Sequence, residues 1–315
     1  MNRAAASYVI PRDLPWSRLA MPLERAGESL ARLDERIHRD AVGRGFVERQ
    51  HFQEACATLW MAGELVHLDD LVLADADASV RIGTIELTRA RRVLQARRMA
   101  VARDAAWALS DDALFGAHLD VERSEMVYAS DWDEDERLDE WRAVVKTAES
   151  LPGLLAAAIA WDAWQEIEPL QQGAWRAGVI AGAVLRKRGL TRHHLLAINV
   201  GGRASKYQPA GHHGFADRIA GFLDWAAAAA AAGSKELDRL TLARQVLSAK
   251  LEGRRRNSHL PALIDLVLSR PLISATMATK ALNVSEPAFT KLRLELGSTL
   301  REMTGRSRYR AWGVL

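Results

Sequence analysis

The chain of 315 residues holds one cysteine, Cys56. An internal disulfide is therefore excluded, and a lone thiol among small and apolar neighbours reads as a buried structural group in a reducing compartment. The N-terminus has no apolar core of leader-peptide length before Pro11, so no secretory signal is expected. No apolar run approaches the ~18 residues that span a bilayer. Even the run of seven alanines, 226–232, is far too short. These absences predict a cytoplasmic protein with no membrane partner. Glycine, proline and β-branched residues are sparse, and no stretch of the body alternates as strands do, which leaves a nearly all-α body. His193-His194 and His212-His213 lack an acidic or cysteine partner at ligand spacing, so they are expected at the solvent and no metal is expected. No cofactor is implied.

What is present is helical periodicity and an uneven distribution of charge. Residues 1–22 read as an irregular arm broken by Pro11, Pro15 and Pro22. From Leu23 the pattern turns helical, with Leu30, Leu33 and Ile37 on one face, and a second helix covers Glu48–Leu65. Arg89–Arg103 is a basic helix whose arginines suit a solvated face better than a phosphate site. Acidic residues from Asp131 to Glu140 form a surface linker or helix start before Trp141–Ser150, at a spacing that matches no calcium loop. Gly173–Arg188 is apolar nearly all round and should be buried. Gly201-Gly202-Arg203-Ala204-Ser205-Lys206 lacks the ending of a phosphate loop and reads as a plain loop. Asp217–Ala232 and Lys235–Leu251 read as two helices, with a thin spot at Gly233-Ser234. The body is thus placed at 23–251, with a boundary near Glu252–Asn257.

The last stretch, 252–315, carries the clearest signals. His259–Leu268 is an apolar helix ended by Arg270-Pro271. Ser274 can cap a second helix, Asn283 supplies a tight left-handed turn, and Ser285 caps a third. In that third helix Phe289, Leu292 and Leu296 face inward, leaving Glu286, Thr290, Lys291 and Arg293 outward. Two short helices around a tight turn are the geometry that enters a major groove. Leu300–Met303 and Tyr309–Trp312 can pair as a wing whose tip carries Arg306, Arg308 and Arg310. This segment has eleven basic and five acidic residues, net +6, whereas the whole chain is only +3. The positive field is concentrated here, as nucleic-acid binding requires. Ser285, Thr290, Lys291, Arg293, Arg306, Arg308 and Arg310 are the expected DNA contacts. A winged fold whose arginines are merely solvated, touching protein only, is the competing reading.

One run in the body resembles a known motif. Ile167-Glu168-Pro169-Leu170-Gln171-Gln172-Gly173-Ala174-Trp175-Arg176, followed by Leu185 and Arg188-Gly189-Leu190, looks like a decayed form of the Fic-domain signature. Leu30-Ala-Arg-Leu-Asp34 resembles the N-terminal helix of long Fic proteins. Thr58-Leu-Trp-Met-Ala62-Gly63 stands where those proteins carry their inhibitory motif. The ending Leu300-Arg-Glu-Met-Thr-Gly-Arg-Ser-Arg308 resembles the winged domain that commonly follows the Fic fold. The chain also resembles an uncharacterised bacterial family built from such a body plus a helix-turn-helix. The Fic resemblance implies a transferase that moves AMP or a similar group to a hydroxyl. A histidine takes the proton, an acid holds Mg²⁺, and a glycine-rich turn at a helix N-terminus cradles the phosphates.

The departures from that motif fall on its chemistry. Glu168 stands for the histidine, Gln172 for the acid, Ala174 for the asparagine and Trp175 for the second glycine. Glu168 would repel a triphosphate, neutral Gln172 is a poor sole anchor for Mg²⁺, and an indole at 175 obstructs the amides. Pro169, Gly173 and Arg176 remain, and Ala62 replaces the inhibitory glutamate beside Thr58 and Gly63. The expectation is a mostly α protein with a catalytically decayed Fic-like body and a winged helix-turn-helix at 252–315. It would act as a regulator of transcription on double-stranded DNA, homodimeric through its body. A residual transferase using Glu168 is the alternative, and a protein-interaction module the third reading.

Overall fold

In the computed structural model the described residues are 8–76, 83–103, 110, 133–171, 173–205, 213–251, 258–305 and 310–314. Among them twelve α-helices run in chain order: α1 Trp16–Arg39, α2 Gly43–Met61, α3 Leu68–Asp75, α4 Ile85–Ala102, α5 Glu134–Ala148, α6 Gly153–Ile167, α7 Arg176–Lys187, α8 Ile198–Ala204, α9 Phe215–Ala249, α10 Leu260–Ser269, α11 Ala275–Leu282 and α12 Glu286–Leu296. Three short strands follow the same order: β1 Ile273–Ser274, β2 Leu300–Glu302 and β3 Ala311–Val314. The protein is mostly α, as the periodicity predicts. No helix among the described residues is long and apolar enough to cross a membrane.

The chain divides into two compact units, one of Met1–Asp34 with Gln95–Ala230, the other of Glu35–Leu94 with Ala231–Leu315. The boundary expected near Glu252–Asn257 lies outside the described residues.

In the first unit α5, α6 and α7 pack as consecutive helices. α6 and α7 are buried along almost their whole length, which follows from their lack of a polar face. Asp133 caps α5 by accepting from the Glu136 N–H at 3.0 Å, so the acidic run is a helix start. Trp141 and Trp164 meet edge to face at 5.0 Å between ring centres. The Trp141 indole donates to the Ala160 carbonyl and the Trp164 indole to the Gly173 carbonyl, so both buried N–H groups are satisfied. Asp162, buried on α6, takes a two-pronged contact from Arg218 at 2.8 and 2.9 Å and accepts from the Tyr8 hydroxyl at 2.7 Å. Burial, then the Asp162 carboxylate, pushes the Tyr8 hydroxyl well above its ordinary pKa.

The arm does not run to residue 22: α1 begins at Trp16 and contains Pro22. One backbone bond is lost there. Fully buried Leu19 and Ala26, with the Arg18–Asp217 and Arg25–Asp224 pairs, hold the turn in place. No break occurs at Gly233-Ser234, because α9 is continuous. A glycine inside a helix costs about 1 kcal/mol, and the flanking alanines and the burial of Leu237 and Leu240 outweigh it.

Gly201-Gly202 lies in α8 and not in a loop. A Cβ at Gly201 would stand 2.0 Å from the Trp225 carbonyl oxygen, and one at Gly202 would stand 2.9 Å from the Trp225 ring. The two glycines serve a close helix approach, not a phosphate. Arg97, on the helix read as a solvated basic face, is fully buried and donates to the Leu195 and Leu196 carbonyls.

His194 is buried as well, not at the solvent; only His193 of that pair is exposed. The His194 Nδ1 stands 2.8 Å from Asp34, whose carboxylate also accepts the backbone N–H groups of Arg192 and His193 at 2.9 Å each. His212 lies outside the described residues.

In the second unit α10 packs on α2. Gly45 meets the end of α10 so closely that a Cβ there would stand 2.9 Å from the Leu268 carbonyl oxygen. Arg49, buried on α2, donates to the Val267 and Arg270 carbonyls and to Glu236 on α9 at 3.0 Å. Cys56 is buried, as expected.

Candidate nucleic-acid interface

The site is built from α10, α11, α12 and a three-stranded sheet in the order β1-β3-β2, antiparallel throughout. The β2–β3 hairpin is the predicted wing, with Leu300 opposite Val314 and Glu302 opposite Trp312. β1 was not anticipated: Ile273 and the cap residue Ser274, close behind a proline, give no alternation to detect. It pairs Ile273 with Trp312 and Ser274 with Ala311.

Local signals set the two helices. The Ser274 hydroxyl accepts from the Met277 N–H at 3.1 Å and starts α11. Asn283 ends it in the left-handed region at φ 51° and ψ 50°. Ser285 occupies the N-cap position of α12 in extended geometry, without a side-chain bond to the helix. Leu263, Val267, Leu282, Phe289 and Leu296 form the core, and Leu292 is only partly buried. Phe289 meets Trp312 edge-on at 5.7 Å, tying the third helix to the wing.

The outward face of α12 carries Thr290 and Lys291, both exposed as expected. Arg293 is half-buried and lies over the Trp312 ring, 5.0 Å from its centre. That contact braces helix against wing. Arg310 is exposed at the end of the wing turn, and Arg306 and Arg308 lie outside the described residues. Glu302 organises the turn, accepting from the Thr304 N–H and hydroxyl and from the Gly305 N–H. The Thr304 bonds lead in holding its carboxyl below the usual range. Arg270 is drawn away from this surface: it pairs with Asp75 at 3.1 Å and lies over the Phe52 ring. Leu294, not among the expected contacts, is 65% exposed on α12. Its signal is legible: five positions beyond Phe289 is about 140° around a helix.

The second candidate run, 167–176, joins α6 to α7 in the first unit. Glu168 caps α6, exposed and left-handed at φ 48°. Pro169 and Gly173 are buried, and Gln172 lies outside the described residues. Three amides of this run are engaged within the turn. Gly173 N–H donates to the Leu170 carbonyl, Arg176 N–H to Gly173 and Ala177 N–H to Ala174, at 3.0, 3.0 and 3.2 Å. The buried Arg176 guanidinium lies 4.6 Å from the centre of the Trp175 ring. In the other unit, Thr58 is buried and donates to the Glu54 carbonyl, Ala62 caps α2, and Gly63 turns the chain at φ 80°. Among the described residues no group of three or more His, Cys, Asp or Glu could hold a metal ion.

Uncharacterised protein y4cF of Sinorhizobium fredii (strain NBRC 101917 / NGR234) is 38% identical over 370 aligned positions, covering 94% of this chain and 97% of that one. A crystal structure of a Fic family protein from Desulfovibrio desulfuricans G20 superposes with a TM-score of 0.49 at 15% identity, covering 98% of each chain. Residues 126–252 match the family described as protein of unknown function, DUF1612. Residues 260–315 match the family described as HTH DNA binding domain. The chain therefore belongs to the same family as y4cF, and in this chain a segment matching DUF1612 is followed by one matching a helix-turn-helix DNA-binding domain.

Proposed function

We propose that this protein binds duplex DNA through α12 and the wing and acts as a regulator of transcription. The observation that carries this reading is the solvent-facing polar side of α12, with Thr290 and Lys291, inside a segment of net charge +6. Phosphate contacts supply affinity and base contacts supply preference. Thr290 and Lys291 reach the groove, while Arg306, Arg308, Arg310 and the braced Arg293 meet the flanking backbone. The helical body is a non-catalytic part for homodimerisation or interaction. Support for that comes from the motif run, where Glu168, Gln172 and Trp175 replace the groups that transfer needs and the amides of Gly173, Arg176 and Ala177 bond within the turn.

Binding isotherms of the purified chain at several salt concentrations, on duplexes selected from genomic DNA, test the reading. Arg308→Ala should weaken all sequences alike and lower the salt slope by about one. Affinity indifferent to salt, or surviving loss of Arg306, Arg308 and Arg310 together, overturns it in favour of a protein-only contact. The body is tested separately with radiolabelled ATP and Mg²⁺ or Mn²⁺. Self-labelling abolished by Glu168→Ala would restore the transferase, and no labelling is expected.

A further inference from the structure

We infer that Leu294 is a base-reading residue, and that it recognises the C5-methyl group of a thymine in the bound duplex. The inference rests on the DNA-binding reading above and gives it a sequence requirement.

α12 turns one face to solvent. Phe289 and Leu296 fix its inner side, and Pro287, Thr290, Lys291 and Leu294 are all exposed. These four fall at i, i+3, i+4 and i+7, one stripe along the helix. That is the spacing a helix lying in a major groove presents to base edges. The stripe is about 10 Å long, enough for roughly three base-pair steps.

Chemistry then separates Leu294 from Lys291 and Thr290. Lys291 and Thr290 have polar atoms that suit either a base edge or a phosphate. Leu294 has none, so it gains nothing from the backbone. The major groove holds one apolar feature, the thymine methyl. Within the groove, a leucine that is 65% exposed in the free protein gains by covering such a group. Its neighbours argue against a protein-docking patch. Lys291 and Thr290 flank it on the helix surface, and the surrounding segment carries the chain's excess of positive charge. Thr290 and Lys291 separate Pro287 from Leu294, so the stripe offers no continuous apolar face to a protein and suits an anionic groove with isolated methyl groups.

Selection of duplexes by the full-length chain should return a site with a fixed thymine. Each thymine of that site is then replaced singly by deoxyuridine, which removes the methyl and nothing else. One replacement should weaken wild type about fourfold, the effect of one methyl's burial, and leave Leu294→Ala unaffected. At the same position 5-methylcytosine should bind wild type better than cytosine, provided its new partner guanine is matched in both duplexes. Because Leu294 is exposed, the alanine variant retains its core. A flat uridine scan, with salt-dependent binding intact and preferences unchanged in Leu294→Ala, overturns this inference alone. Failure of every duplex to bind in a salt-dependent way overturns the DNA-binding reading, and this inference with it.

Discussion

Asp34 shows how a residue acquires a role that its neighbours in sequence do not reveal. Burial alone would raise its pKa, but the bonds from His194 and from the His193 and Arg192 amides outweigh it, and the carboxyl ends below its ordinary value. A carboxyl with a depressed folded pKa contributes stability that is present above the unfolded value, about 4, and lost as pH falls through the folded one. Asp34→Asn should therefore lower the melting temperature near neutral pH, and the gap to wild type should narrow as pH drops below about 4. A gap that stays constant over that range would mean the charge contributes nothing. Asp34, His194, Arg97 and Arg49 were not legible as buried residues. Their partners lie far along the chain, Arg49 meeting a carbonyl 221 positions away, and local pattern assigns charged and imidazole side chains to the solvent.

At the level of elements, helices were legible where local chemistry decides them. Ser274, Asn283 and the Phe289 periodicity define α11 and α12 within a few residues, and the structure agrees. Where tertiary burial decides, local signals mislead: Pro22 does not break α1, Gly233-Ser234 does not break α9, and paired glycines make α8. The Arg49–Glu236 pair belongs to the same class. Burial, which raises the Glu236 pKa, is outweighed by Arg239 and Arg49, and the carboxyl is held low. Arg49 in turn joins α2 and α9 to the end of α10. Glu236→Gln leaves a buried guanidinium without its charge partner and should cost about 3–5 kcal/mol. Chemical denaturation of the two proteins measures this, and a loss under ~1 kcal/mol would class the pair with surface ion pairs.

For the molecule as a whole, residues 252–315 were expected to form a domain of their own, and the compact unit that contains them also draws in 35–94 and 231–251. The sequence shows that α10 is apolar, but not that α2 is what it packs on. A fragment of 252–315 should therefore unfold well below the full chain or aggregate, because Leu268 and its neighbours lose their cover. Its thermal melt by circular dichroism decides this: a cooperative transition at the full-chain temperature would establish an autonomous domain. The internal bonding of the turn at 167–176 was not legible either.

The sheet order has a consequence for the sequence of folding events. β3 is the central strand, and its partner β1 lies 39 positions upstream of it at the Ile273–Trp312 pairing, with α11 and α12 in between. The hairpin partner β2 is far nearer and closes a shorter loop. Local helices and the near pairing should form first, and the distant pairing last. In a refolding time course read by pulsed hydrogen exchange, amides of α11 and α12 should gain protection before those that join Ile273–Ser274 to Ala311 and Trp312. Simultaneous protection of all of them would mean that the segment condenses in a single step.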